Sequence, residues 1–415
     1  MCLVGAAAQG KGINELPNDL DWTVIESLAN EQAVQTLLGY ALRLSPELRC
    51  PFELREKLVA QMRQTAFSNS AWKSSTMQLL KEIRETGIHA LLIKGYAVAN
   101  CYAAPDTRLS GDVDIWIRSK DEKRACAFMK TKGFSVKNRR ANEHHDVFQH
   151  PQLGCVELHV MLYDELVGDV WFRRTEDQAY IQEPDLEVST PDGWYYTLGY
   201  TDHLIFLMLH LIKHFIQSGL SLRMMMDVTL FYIQNMNKID SARVWKTMQS
   251  LKYETLVQCI LCAMSHYCGI GVEVIKWQYS ELSGRIDMVL DDLESGGWLG
   301  KKSKSERAEG WYEYNRQVLL KKGTMKQYLF YMLRWKTRMY IKSIFPNREV
   351  LMDEYPCVQN RHILIPFVWL HRLVLRGICA IKDGILTDCI VVNPDEIGTE
   401  GKKRIKMFEM LGMLD

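Results

Sequence analysis

The sequence predicts an α+β fold, a small mixed β-sheet flanked by N-terminal helices and a larger helical C-terminal region. Three observations lead there. Early in the chain, apolar residues such as Val34, Leu37, Leu38, Ala41 and Leu42 recur at helical spacing. From Ile88 the pattern shortens to β-type runs, HALLI, DVDIWI, HDVFQ and CVELHVML, separated by helical stretches at 96–102 and 121–132. Beyond about Trp194 the helical character returns, with apolar runs at 204–216, 222–233 and 253–267.

These shifts divide the chain into an N-terminal helical segment (1–86), an α/β core (87–193), a helical domain (194–295) and a C-terminal helical region (296–415). Within the first segment, helices are expected over 18–85, and Ser70 to Ser75 offers caps for a new run. Gly296, Gly297 and the charged stretch 301–309 mark the expected internal loop.

Composition removes several function classes. The chain has 415 residues, 47% of them hydrophobic, which suffices for two or three domains with real cores and excludes a disordered protein. The 51 basic and 50 acidic side chains leave a formal charge of +1, so no global field gathers nucleic acid. Eleven scattered cysteines read as reduced thiols rather than a disulfide framework. The start, MCLVGAAAQGKG, has neither the basic nor the apolar region of a secretory signal, and a cytoplasmic location is expected. The runs 204–216 and 362–381 come nearest to membrane segments, but His210, Lys213 and His214 interrupt one and Pro366, His371, Arg372 and Arg376 the other. No transmembrane segment is expected. Peripheral membrane contact through the 362–381 helix is the lesser reading, and burial against its own protein the commoner outcome.

The residues that carry chemistry centre on Asp112-Val113-Asp114-Ile115-Trp116-Ile117. On a strand, alternate side chains share a face, so Asp112 and Asp114 point one way and Val113, Ile115 and Ile117 point into a core. Such a pair is weak evidence alone, because 50 acids in 415 residues give about six acid-x-acid triplets by chance. The context discriminates. Seventeen residues before Asp112 lies Gly95, in a strand, glycine turn, helix arrangement that lets backbone approach phosphate oxygens. Forty-three residues after Asp114 comes Glu157, a third acid flanked by apolar residues. Three converging carboxylates repel unless cations sit between them, which points to divalent metal. The other reading is surface carboxylates beside a sheet.

In this order, Leu92-Ile93-Lys94-Gly95, Arg108 followed by Asp112-Val113-Asp114, and Val156-Glu157-Leu158-His159 resemble the motifs of the nucleotidyltransferase superfamily. The similarity is greatest to a poorly characterised bacterial family within it. Leu222-Arg223 and Asp227 look like that family's helical segment, with Phe345-Pro346 and Tyr355-Pro356 as a further downstream signature. The clear part covers residues 88–235. One departure is Tyr96, where the superfamily usually has a serine or second glycine that helps hold the triphosphate. Phosphate contacts then fall to backbone amides, to Lys94 or to the helical region.

The resemblance implies an enzyme that moves a nucleoside monophosphate from a nucleoside triphosphate, ATP or another whose base the sequence does not identify, to an acceptor hydroxyl with release of pyrophosphate. Asp112, Asp114 and Glu157 would be catalytic and would hold Mg²⁺ or Mn²⁺. Lys94, Gly95, Arg108, Lys213 and His214 would contact the nucleotide. Lys94 and Arg108 have surface ion pairs as their other reading. For His203, His210, Lys213 and His214, the alternative is a polar stripe or hydrogen-bonded core histidines. Asp227 reads as an intramolecular partner of Arg223 or Lys213. The acceptor, whether small molecule, sugar, protein or RNA end, is not readable. Two other classes stay open: a non-catalytic nucleotide- or partner-binding protein on the same fold, and a membrane-surface interaction protein using the C-terminal helices.

Other signals are weighed and set aside. Cys259, Cys262, His266 and Cys268 have zinc-like spacing but lie in an apolar helix, where Cys268 faces away from the rest. Residues 296–303 hint at a phosphate loop with no strand before it and read as a linker. His144-His145-Asp146 reads as a solvated turn rather than a metal or acid/base site.

Overall fold

The computed structural model describes residues 1–17, 19–141, 145–162, 181–271, 279–295, 355–358, 361–382 and 399–414, with single positions at 314, 317, 341, 345 and 351. The fold is α+β. Four helices open the chain: α1 (Cys2–Ala8), α2 (Trp22–Glu31), α3 (Gln35–Leu44) and the 34-residue α4 (Phe52–Glu85). No break occurs at Ser70 to Ser75, contrary to expectation. The hydroxyls of Ser75 and Thr76 instead donate to the carbonyls four residues back, Ala71 and Trp72, which keeps them inside a continuous helix.

The sheet contains β1 (Ala90–Leu92), β2 (Asp112–Ile117), β3 (Ser135–Ala141), β4 (His145–His150), β5 (Gly154–His159), β6 (Leu186–Thr190) and β7 (Gly193–Thr197). Their order is β3-β4-β5-β2-β1-β7-β6. The pairs β1/β7 and β2/β5 are parallel and the others antiparallel, so the sheet is mixed. Four of these strands coincide with the β-type runs of the sequence. Trp194 does not begin the helical region as expected, since it lies in β7 and the next helix starts at Tyr200. Between β1 and β2 lies the one-turn helix α5 (Tyr96–Ala99), and α6 (Glu122–Thr131) follows β2. Asp146 is not in a solvated turn either: it is 3% exposed on β4, where the Cys126 thiol donates to it, and His144 lies outside the described residues.

The sheet separates two cores. Val113, Ile115, Ile117, Val156 and Leu158 face α4 and α6, joined by Leu80, Ile83 and Met129. Burying each of the larger side chains contributes about 1.5–3 kcal/mol, so this layer fixes which way β2 faces. The opposite face, through Leu91, Ile93 and Trp116, meets the helical region. That region comprises α7 (Tyr200–Gln217), α8 (Leu222–Asn235), α9 (Ser241–Ser250), α10 (Glu254–Cys268) and α11 (Tyr279–Ser295), followed by α12 (Ile365–Lys382) and α13 (Thr399–Met410). The first helices share this second core. The buried Gln32 donates to the Leu293 carbonyl and accepts from the Leu222 amide, tying α2 to α11 and α8. At the other end of the chain, Arg404 reaches Asp292 and the Phe215 carbonyl. Among the described residues, no helix is long and apolar enough to cross a membrane.

Candidate active site

The polar face of β2 looks toward α7 and α8. With Val113, Ile115 and Ile117 fixed in the lower core, the period of two turns Asp112, Asp114 and Trp116 the other way. β5 runs parallel beside it with Glu157 opposite Asp114 and His159 opposite Trp116, so both β5 side chains join the same face. Lys94, just past β1, closes the group: its Nζ lies 2.6 Å from Asp114 Oδ1. His159 Nε2 lies 2.9 Å from the same oxygen and 3.3 Å from Glu157 Oε2.

Asp114 is only 2% exposed, and taking an isolated carboxylate that deep costs several kcal/mol. Burial alone would raise its pKa, but the Lys94 charge and the His159 hydrogen bond overcome it and hold the carboxyl far below the usual range. Glu157 is lowered against its own burial, chiefly by the bond to His159. Burial works against charge on His159 and Lys94 too. Asp114 and Glu157 nevertheless raise the imidazole, and Asp114, Asp112 and Glu157 raise the ammonium. Asp112 is the member left over. Burial and then the Asp114 charge push its carboxyl up to about 6, with Lys94 and Arg223 offsetting only part.

Gly95 begins α5 with φ +55° and ψ −112°, a conformation that only glycine adopts without strain, and it sets the chain turning directly after Lys94. The glycine turn expected from the sequence is therefore present.

A second charged cluster lies next to the first. Arg108 Nε and Nη2 donate to the two oxygens of Asp227 at 2.7 Å each, Tyr102 Oη donates to Asp227 Oδ1 at 2.7 Å, and Arg108 Nη1 donates to Ser110 Oγ. Of the two readings of Arg108, the structure contains the ion pair, and it is buried rather than at the surface. Asp227 is an intramolecular partner as expected, hydrogen-bonded to Arg108, and its charge also acts on Arg223. Arg223 itself donates to the Leu109 carbonyl at 2.6 Å, and its charge reaches Asp112.

α7 supplies the histidines. His203 is a hydrogen-bonded core residue: its Nε2 donates to the Ile93 carbonyl at 2.9 Å and its Nδ1 lies 3.3 Å from Thr197 Oγ1. Burial lowers its pKa to about 4. His210 and His214 stack edge to face at 4.7 Å, and Lys213 and His214 are half-buried. Burial, helped by the positive charges of Lys94, His214, Lys213 and His159, lowers His210 well below the ordinary histidine value. His210 therefore lies within electrostatic reach of Lys94 and His159, the two groups that bond Asp114.

Among the described residues, the ligand atoms of Asp114, Glu157 and His159 form a group able to hold a metal ion, all within 4.8 Å of one another. This keeps two of the three acids expected from the sequence and adds a residue the sequence reading quoted but gave no role. Its signal was available: His159 is two positions from Glu157 and so shares its face. Tyr102 gave no such signal. The cysteine stripe belongs to the core, with Cys259 and Cys262 buried on α10 and Cys268 donating to Met264 Sδ, and burial pushes the Cys259 thiol up to about 12. Phe345 meets Trp369 and Tyr355 meets His371 edge to face, while 296–303 and Pro346 lie outside the described residues.

A family model described as uncharacterised nucleotidyltransferase matches residues 18–269, which take in the whole sheet and α2 to α10. Among solved structures, an antigenic nucleotidyltransferase-like protein from Paracoccidioides brasiliensis is similar to part of the chain. It is 13% identical, covers 48% of this chain and 97% of its own, and has a TM-score of 0.30, too low to say more of this chain. No curated protein matches.

Proposed function

The chain belongs to the uncharacterised nucleotidyltransferase family, and on that premise we propose that it transfers a nucleoside monophosphate from a nucleoside triphosphate to an acceptor hydroxyl, releasing pyrophosphate. The observation that carries the reading is the shared face of Asp112, Asp114 and Glu157 on two parallel strands, with Asp112 pushed up to about 6. That rise comes first from burial and then from the facing Asp114 charge, which Lys94 and Arg223 offset only in part. It fits a divalent cation, Mg²⁺ or Mn²⁺, and the close grouping of Asp114, Glu157 and His159 fits the same purpose. When bound, the cation would supply Lewis acidity, neutralising phosphate charge and lowering the pKa of the acceptor hydroxyl.

The chain's own residues have separable tasks in this proposal. Asp112 and Asp114 would hold the cation that accompanies the triphosphate and would share a second, facing the acceptor, with Glu157. Lys94, at the edge of the acid group, supplies charge to phosphate oxygens in the place that a serine at position 96 would otherwise serve. Gly95 leaves its backbone open to the same oxygens. Lys213 and His214 approach from α7, and Arg223 from α8. Arg108 acts by position, holding the loop before β2 against Asp227.

The test is incubation of the full chain with each triphosphate, Mg²⁺ or Mn²⁺ and a cell extract. Label at the α-phosphorus should pass to an acceptor, whereas label at the γ-phosphorus should leave as pyrophosphate. Transfer of the γ-label, or of neither label under any condition, would overturn the proposal.

A further inference from the structure

We infer that His159 is itself a metal ligand, completing with Asp114 and Glu157 a carboxylate-imidazole site that favours Mn²⁺ over Mg²⁺. The inference rests on the proposed function and narrows its metal.

The geometry is the first support. A six-coordinate ion with donors at about 2.1–2.2 Å keeps neighbouring donors about 3 Å apart. His159 Nε2 stands 2.9 Å from Asp114 Oδ1 and 3.3 Å from Glu157 Oε2. Both separations match adjacent corners of such a shell, and the ligand atoms of all three residues lie within 4.8 Å of one another. Register fixes the arrangement: Glu157 is opposite Asp114, and His159 follows two positions later on the same strand face. His159 is 4% exposed, so its imidazole is held by the sheet and not free to swing into water.

Donor chemistry is the second. Magnesium takes oxygen donors and gives up its water reluctantly, while an imidazole is a transition-metal donor, and manganese, the weakest of that series, shares the taste for carboxylates. Two carboxylates alone would serve either ion. The nitrogen donor breaks that tie, so one side chain sets the preference. Lys94 bonds the same Asp114 oxygen, and a carboxylate oxygen has lone pairs enough to serve an ammonium and a metal together.

The rival description is a strut, in which the protonated imidazole donates to both carboxylates and never meets a metal. The two differ spectroscopically. Mn²⁺ would be titrated into the full chain without nucleotide, its affinity read by electron paramagnetic resonance, and nitrogen coupling read by electron spin-echo modulation. A directly bound imidazole gives ¹⁴N modulation, which ¹⁵N-histidine labelling must alter in the unmutated protein, so the result does not depend on a variant folding. His159→Gln should remove the modulation and weaken Mn²⁺ by about tenfold or more, since even outer-shell partners of metal ligands are worth that much. Mg²⁺, measured by competition, should change far less. Mn²⁺ bound without nitrogen coupling, or coupling lost in His210→Gln but kept in His159→Gln, would overturn the assignment and leave the function standing. Failure of the unmutated protein to bind either ion, with or without triphosphate, would sink both.

Discussion

Two clusters of buried charge lie beside β2, and they are built differently. Around Asp227 the charges close on themselves: Arg108 spends two donors on its two oxygens, Tyr102 adds a third, and Ser110 takes another donor of the guanidinium. Around Asp114 they do not close. Asp112, Asp114 and Glu157 share Lys94 and His159, and burial together with the Asp114 charge leaves Asp112 with a raised pKa. A closed pair holds a fold together, while surplus acid on a braced strand suits an incoming cation. Arg223 feels both, through Asp227 on one side and Asp112 on the other.

The hardest way to break this contrast is to neutralise the surplus. Asp112→Asn is expected to reduce nucleotidyl transfer by about a thousandfold or more, roughly 4 kcal/mol of activation free energy. Its melting temperature in chelator should stay level or rise, because a neutral amide ends the repulsion with Asp114. From the repulsion of the acid pair alone, Asp114→Asn would behave alike. The structure separates them, since Asp114 is the partner of Lys94 and His159, so Asp114→Asn should lose both transfer and thermal stability. Unchanged turnover in Asp112→Asn on an identified acceptor would remove this carboxylate from the metal site.

Opening the closed cluster should cost stability first. Asp227→Asn leaves the buried Arg108 charge without its carboxylate, a loss of about 3–5 kcal/mol in urea denaturation. Replacing both residues by apolar ones of similar volume should recover most of it. A single-variant loss below about 1 kcal/mol would put the pair with ordinary surface bridges and erase the distinction drawn between the clusters.

Legibility in the sequence followed the same divide. β2 and the strand bearing Glu157 were readable because their apolar alternation is strong, and the glycine turn because Gly95 follows an apolar run at once. β3, with the sequence SVKNRRA, and β6, which alternates between half-buried and exposed, sit at the two edges of the sheet, where one side meets water and apolar pattern is lost. Thr190-Pro191-Asp192-Gly193, between β6 and β7, is a turn sequence that could have marked this hairpin. At the site, the acids were legible as a pattern along one strand. Their partners were not, because Lys94 to Asp114 and Arg108 to Asp227 are contacts across the fold that no local spacing encodes.

His203 sharpens the comparison within a single helix, since it is closed by Ile93 and Thr197 while His210 feels Lys94 and His159 of the acid cluster. Its pKa of about 4 lies below the ordinary 6.5, so the unfolded chain takes up the proton first. The stability it contributes is present above pH 6.5 and is lost as the pH falls toward 4, about 3 kcal/mol in all. Asp112 works in the opposite sense, because its raised carboxyl gains its proton in the folded state as the pH falls through about 6. The measurement is therefore the difference between the unmutated protein and His203→Gln at each pH in chelator. A difference that does not shrink between pH 6.5 and 4 would mean that His203 titrates normally in the fold.

The smallest expected effect concerns Lys94, the residue on which the two kinds of cluster meet. As a partner of Asp114 it belongs to the structure, and as a cation beside surplus acid it is placed to meet phosphate. Lys94→Ala should weaken triphosphate binding by about 1–3 kcal/mol, the range for a lost charge-assisted hydrogen bond. Monophosphate binding should fall much less, because the lysine is proposed to serve the phosphate tail where Tyr96 replaces the usual serine. The comparison between the two ligands matters more than either value, since loss of the Asp114 partner also disturbs the carboxylates that hold the cation. Calorimetry at fixed metal concentration separates the outcomes. A loss confined to the triphosphate makes Lys94 a phosphate contact. Equal losses for both nucleotides, together with a lowered melting temperature, would make it the structural counterion of Asp114 and leave the phosphate tail to Lys213, His214 and Arg223.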